Sequence, residues 1–254
     1  METGRSTEIT EDNTSLWQKC THCGEVAFRG ELERNSFTCP KCKKLFVISI
    51  ENRIKLLLGN DISNDTTDTN SDDINNGNAI SIDVISIKES VEGYPVSLFI
   101  LQPETTLEQR HIDVYSKAIT SALTESIPLL SVLTASPTET QCSFNEIVPL
   151  MIQLEDLAEA SMPHLTVLTE TDVPQLTTHL PIGEIVIAES ESRSDNMARI
   201  NPQPALHAPE EQLLPENNRE ITPDMSVDCY VPRTELHTML VKFLKFFAAT
   251  PIID

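Results

Sequence analysis

Cys20-x2-Cys23-x15-Cys39-x2-Cys42 is the constellation in this 254-residue chain whose residue types and spacing most directly dictate a chemistry. A C-x-x-C pair closes a tight turn that aims two thiolates at one point. Two such pairs, separated by a loop of this length, suit one tetrahedral zinc ion. Gly24, just after the second cysteine, and Pro40, inside the second pair, supply the freedom and the rigidity that such turns use. Four thiolates leave no open coordination position, so the ion is expected to be structural and not catalytic. The competing reading is two disulfides or redox-active pairs. It is disfavoured because residues 1–15 carry no secretory signal and two further cysteines stand apart. Those two, Cys142 and Cys229, are expected to be ordinary buried thiols.

The remaining chemistry-bearing residues form no comparable pattern. His111, His164, His179, His207 and His237 are scattered without ligand spacing and read as ordinary histidines. Ser136 and Ser143 have no G-x-S-x-G elbow around them. A phosphate-cradling loop needs clustered glycines, and of the seven glycines only Gly183 lies beyond Gly93.

The elements that must carry these residues follow from periodicity and composition. Residues 59–78, "GNDISNDTTDTNSDDINNGN", are too poor in apolar side chains to offset the entropy of ordering and read as an acidic linker. "AISIDVISI" (79–87) and "YPVSLFIL" (94–101), joined by Glu92-Gly93, read as a hairpin. "IPLLSVLTA" from Ile127 and "MPHLTVLTE" from Met162 repeat one unit, with Pro128 and Pro163, Val132 and Val167, and Thr134 and Thr169 each 35 positions apart. Between them a helix is expected with Ile147, Leu150, Met151, Leu154 and Leu157 on one packed face and Pro149 near its start. A further strand is expected at "EIVIAES". A closing helix carries Leu236, Met239, Leu240, Phe243, Leu244 and Phe247 as an apolar stripe. The proline-rich stretch 200–223 reads as an extended loop. Strands alternating with helices imply crossovers and a largely parallel sheet, hence an α/β fold.

The formal charge of −21 opposes nucleic-acid phosphates and anionic membranes. The local exception is the cysteine segment. There Lys19, Arg29, Arg34, Lys41, Lys43, Lys44, Arg53 and Lys55 gather eight of the eighteen basic residues. No apolar stretch approaches the roughly 20 residues of a membrane-spanning helix. With neither signal nor transit character at the N-terminus, the chain is expected to work in the compartment where it is made.

"WQKCTHCG", "ELERN", "CPKC" and "ENRIKLLL" closely resemble the N-terminal zinc ribbon of the β subunit of bacterial and plastid acetyl-CoA carboxylase carboxyltransferase. The resemblance carries Cys20, Cys23, Cys39 and Cys42 over as metal ligands and Trp17, Asn35 and Arg53 as framework positions. Fainter similarity continues to the end of the chain, where "IGEIVIAES" looks like the family's "GD-x-x-IAEP" strand. What the resemblance implies is a four-cysteine zinc ribbon followed by a degenerate crotonase-like (ClpP-like) domain. The implied domain scheme is a flexible N-terminus (1–16), the ribbon and its following helix (17–58), the linker (59–78) and the crotonase-like domain (79–254). The implied partners are a carboxyltransferase α subunit and a second β-like subunit, with acetyl-CoA and biotin carrier protein if the chain is active. The implied location is a bacterial cytoplasm or plastid stroma.

One departure from the family pattern bears on activity. The family transfers a carboxyl group from carboxybiotin to acetyl-CoA, and backbone N–H groups in Gly-Gly turns after two central strands stabilise the developing oxyanions. Here those turns read "TASPTETQCSF" (134–144) and "TETDVPQLTTHL" (169–180), without glycine and with Pro137 and Pro174 in them. Glu139, Glu170 and Asp172 add charge that would repel CoA phosphates. No residue is therefore assigned a catalytic role, and a degenerate structural or regulatory subunit is the expected function. A zinc-ribbon nucleic-acid-binding or scaffold protein is the alternative.

Overall fold

A computed structural model describes residues 16–59, 83–102, 106–134, 142–169, 180–190 and 227–249. The two glycine-free turns lie largely outside the described residues. So do all but the first residue of the acidic linker, the proline-rich stretch, and His179 and His207. The chain divides after Phe46 into two compact units.

In the first unit, β1 (Trp17–Lys19) pairs antiparallel with β2 (Val26–Phe28), which sets Trp17 opposite Phe28. Their rings meet edge-on with centroids 5.5 Å apart. Helix α1 (Arg29–Arg34) follows and is one and a half turns long. Asn35 closes it by donating to the carbonyls of Glu31 and Leu32, and Ser36 and Phe37 reverse the chain at positive φ. Leu32, Ala27 and Phe46 pack with Cys20 and Cys39 into a core of a few side chains. A core this small needs a metal or a disulfide to hold it.

The second unit is a six-stranded sheet in the order β3-β4-β5-β6-β7-β8. Strands β3 (Val84–Val91) and β4 (Tyr94–Leu101) are the antiparallel hairpin, joined by Glu92 (φ 46°) and Gly93 (φ 85°). Positive φ at both loop residues is what a two-residue turn between twisted strands requires. The strand extends past Ile87 to Val91 because Val91, wholly buried, closes the register against Tyr94. Strands β5 (Leu129–Thr134), β6 (His164–Thr169), β7 (Ile185–Ser190) and β8 (Cys229–Pro232) then add in parallel, so the sheet is largely parallel as expected. The 35-position repeat becomes the sheet register itself: Leu130 lies opposite Leu165, Val132 opposite Val167 and Thr134 opposite Thr169.

Burial on both faces explains the nearly continuous apolar strands. Leu98, Ile100, Leu130, Val132, Leu165 and Val167 face helices α2 (Ile50–Leu58) and α5 (Leu236–Ala249). The alternate residues Phe99, Leu129, Leu133 and Leu168 face α3 (Gln109–Glu125) and α4 (Phe144–Glu159). Helix α2 buries Ile50, Ile54, Leu57 and Leu58 in this second core, and its first turn is capped by Ser49 Oγ, which accepts from the N–H of Asn52. Helix α5 lays down its expected stripe, with Leu236, Leu240 and Leu244 buried and Met239, Phe243 and Phe247 packed at their margin. In α4, Leu150 and Leu157 are buried, with Ile147 and Leu154 beside them. Met151 corrects the expectation: it is 50% exposed, because at 3.6 residues per turn it faces away from the Leu150–Leu157 line.

Candidate metal centre

The first knuckle follows β1, where Cys20 donates its N–H to the Glu25 carbonyl and accepts at its own carbonyl from Gly24, at φ 73°. The second repeats the device: Cys39 donates to the Lys44 carbonyl and accepts from Lys43, at φ 66°. Each turn leaves its two thiols on the same side. All four sulfur atoms lie within 4.8 Å of one another. Cys20 Sγ is 3.7 Å from Cys42 Sγ, and Cys23 Sγ is 3.7 Å from Cys39 Sγ. A tetrahedron with metal–sulfur bonds of about 2.3 Å has edges of about 3.8 Å, so these separations fit a zinc ion. They are far longer than the roughly 2.05 Å of a disulfide, and the cysteines are free thiols.

The electrostatics fit a cation too. Burial works against the Cys39 thiolate, but the N–H groups of Cys42 and Lys41 overcome it and bring the thiol down to about 7. Cys42 accepts from the Lys44 N–H, which favours its thiolate, yet desolvation and the three neighbouring sulfurs push it up to about 12. Four thiolates crowded this closely need a positive charge among them. A zinc ion would supply that charge and so favour loss of the thiol protons. Outside the cluster, Lys41 Nζ pairs with Glu25 at 3.2 Å, tying the two knuckles together. Both further cysteines are half-buried, less buried than expected, and neither joins the cluster: Cys142 Sγ lies 3.6 Å from the Leu107 carbonyl, and Cys229 sits on β8.

The described histidines also find ordinary partners. His111 is fully buried beside Asp83 at 3.3 Å. His237 Nδ1 lies 2.8 Å from the Leu57 carbonyl at the end of α2. His164 is more informative. Its Nε2 is 2.8 Å from Ser131 Oγ and 3.2 Å from Tyr115 Oη, and Ser131 Oγ is 2.9 Å from Thr166 Oγ1. A serine–histidine pair at this distance resembles a nucleophile and its base. Ser131 and Tyr115 are fully buried, however, and burial pushes His164 down to about 3, so the pair is a closed polar network between α3, β5 and β6.

Sequence reasoning missed a second buried polar group. Glu189 on β7 is wholly buried and accepts from Arg53 Nη1 of α2 at 2.6 Å. Arg233, just after β8, donates from Nε and Nη2 to the same carboxylate at 2.8 Å each. Burial alone would raise the pKa of Glu189, but the two guanidinium groups hold the carboxyl at about 2. The available signals were a carboxylate inside the apolar run "IVIAES" and Arg53 as a framework position of the resemblance, and neither pointed to the other.

Residues 17–42 match the acetyl-CoA carboxylase zinc finger domain family. The acetyl-coenzyme A carboxylase carboxyl transferase subunit β of Protochlamydia amoebophila is 25% identical over 272 aligned positions, covering 93% of this chain and 85% of that protein. The corresponding protein of Clostridium botulinum is 23% identical, over 90% of this chain and 86% of its own length. That of Carboxydothermus hydrogenoformans is 53% identical over a stretch of 51 residues, 20% of this chain and 18% of that protein. Among solved structures, a Pseudomonas malonate decarboxylase MdcD-MdcE hetero-dimer is similar at a TM-score of 0.41 and 12% identity, over 79% of this chain and 86% of that one, a likeness too weak to carry an argument. On the four-thiol geometry, the zinc finger match over residues 17–42 and the similarity along both units, the chain is similar to the acetyl-CoA carboxylase carboxyl transferase β subunits.

Proposed function

We propose that this chain is a β-like subunit of a carboxyltransferase assembly that serves as a structural or regulatory member and performs no carboxyl transfer itself. In this reading Cys20, Cys23, Cys39 and Cys42 ligate one zinc ion, which holds the ribbon together and takes no part in bond making. The sheet domain of 79–254, completed by α2, is crotonase-like. The partner is a carboxyltransferase α subunit, alongside a second β-like subunit, in a bacterial cytoplasm or plastid stroma. Among the described residues no helix is long and apolar enough to cross a membrane.

One observation carries the loss of catalysis. Strands β5 and β6 are parallel neighbours with Thr134 opposite Thr169, so the chain leaves both at the same edge of the sheet. It leaves into segments that contain no glycine. Backbone donors can approach an oxyanion closely only where no side chain intervenes, and proline has no N–H to give. Helix α4, which follows the first of these segments, adds to the argument. Glu146 Oε2 accepts from the N–H of Ser143 at 2.5 Å and from its Oγ at 2.8 Å. Its carboxylate therefore already neutralises the helix N-terminus, where a developing negative charge would be stabilised. Losing a single oxyanion donor typically costs a factor of about 10²–10³ in rate.

The test mixes the purified chain with a competent carboxyltransferase α subunit and measures acetyl-CoA-dependent loss of the carboxyl group from carboxybiotin. The expected result is a complex that co-elutes on size exclusion and shows no turnover above the α subunit alone. Turnover at a rate normal for the family would overturn the degenerate reading. Failure to co-elute would overturn the assembly reading.

A further inference from the structure

Helix α4 is apolar on two sides. Leu150 and Leu157 face the core, while Phe144 (71% exposed), Met151 (50%) and Ile152 (55%) form a second stripe facing solvent. At 100° per residue these three lie within about 100° of arc on the side opposite Leu150 and Leu157. Continuous with the stripe, in the next turns of the helix, are Glu155, Asp156 and Glu159, all exposed. The helix contains no lysine or arginine. Three large apolar side chains on one exposed helix face form the kind of contiguous patch that marks an interaction surface.

We propose that this face of α4 docks a different protein chain, one that presents an apolar surface flanked by lysine or arginine. Charge complementarity selects the occupant. A second copy of this chain, meeting the face through a two-fold axis, would set Glu155, Asp156 and Glu159 against the other copy's α4, which carries Glu146 and no basic residue and so offers them no opposite charge. The chain's own stretch 200–223, with Glu210, Glu211, Glu216 and Glu220 against the single basic residue Arg219, meets the same repulsion. A basic-flanked partner instead neutralises the acidic end while its apolar residues cover the stripe. Such partners gain on-rate and specificity from the charges and affinity from the buried centre. The inference rests on α4 alone and holds whether or not the assembly is a carboxyltransferase.

The test titrates the full chain with two synthetic amphipathic helical peptides of equal leucine content, one flanked by lysine and the other by glutamate. Binding is read by calorimetry, and the site by hydrogen exchange. The lysine-flanked peptide is expected to bind, to protect α4 amides, and to bind more weakly as salt rises. Met151→Ser/Ile152→Ser, which keeps every charge, should weaken it about tenfold, as should Glu155→Gln/Asp156→Asn/Glu159→Gln. An unchanged melting temperature shows that these exposed substitutions leave the fold intact, and protection of α4 in the unsubstituted chain reads the site without them. The proposal is overturned if the serine variant binds as well as the parent, if both peptides bind equally, or if protection falls outside α4. A dimer in sedimentation velocity that the serine variant dissolves would assign the face to a second copy. Binding that appears only after deletion of residues 200–223 would assign it to the chain's own segment.

Discussion

A methyl group on Gly183 would sit 2.1 Å from the carbonyl oxygen of His164 and 2.6 Å from its ring. Neither neighbour can give way, since His164 is locked by Ser131 and Tyr115, and the Gly183 N–H itself donates to Thr166 Oγ1 at 2.8 Å. Gly183→Ala should therefore destabilise the chain by about 1–3 kcal/mol, the usual cost of forcing extra volume into a packed site. Urea denaturation measures it, and a cost below a few tenths would show that the strand can shift. Glu189 is constrained differently, by charge. Removing its charge takes away the carboxylate that both guanidinium groups share, and of these Arg53 is 4% and Arg233 2% exposed. Breaking a buried pair from one side costs about 3–5 kcal/mol, so Glu189→Gln should lower the urea midpoint more than Gly183→Ala does.

At the scale of elements, β5 and β6 carry both the most legible and the least legible parts of the chain. The 35-position repeat was visible as a string and became the lateral register, because two copies of one strand-and-helix unit stack in phase. The ribbon was legible for a related reason, since a metal site imposes short, fixed spacings. The Ser131–His164–Tyr115 network was not, because its members meet only once α3 crosses the sheet, and a strand histidine looks the same whether it faces water or core. The Arg53–Glu189–Arg233 group was hidden by separation, since Arg53 and Glu189 are 136 positions apart. Met151 was misread because an apolar residue on a helix counts towards burial unless something marks the outer face. These networks set a pH dependence. The fold buries His164 neutral with a pKa near 3, against 6.5 when unfolded. The unfolded chain thus binds the extra proton, and the contribution is complete above pH 6.5 and lost as pH falls towards 3. Glu189, held at about 2 against 4.5, contributes fully above 4.5 and loses that contribution as pH falls to 2. The difference in stability between the parent chain and His164→Gln should therefore change with pH between 6.5 and 4.5 and reflect His164 alone. Parallel stability–pH curves in that window would show that His164 is not buried neutral.

At the scale of the whole molecule, each of the two units is stabilised internally by different physics. The sheet unit has apolar cores on both faces of six strands, built from dozens of buried side chains. The ribbon has Leu32, Ala27, Phe46 and its cysteines. Hydrophobic burial scales with area removed from water, and a core of this size falls short of the entropy of ordering its loop. Zinc binding makes up the difference, since binding free energy in such sites is folding free energy, on the order of 10–16 kcal/mol at neutral pH. The sheet unit contains no comparable ligand group among its described residues. A strong chelator at neutral pH should therefore unfold one unit and spare the other. Hydrogen exchange followed by mass spectrometry should show protection lost across residues 16–46 and retained in β4, β5, β6 and α3, with one zinc released per chain. Cys39→Ser should reproduce the exchange pattern without chelator and purify with little or no zinc by elemental analysis. Protection of residues 16–46 that survives full zinc removal would mean that the ribbon folds on its apolar residues alone. Loss of protection throughout the chain would mean that the sheet unit depends on the ribbon for its own stability.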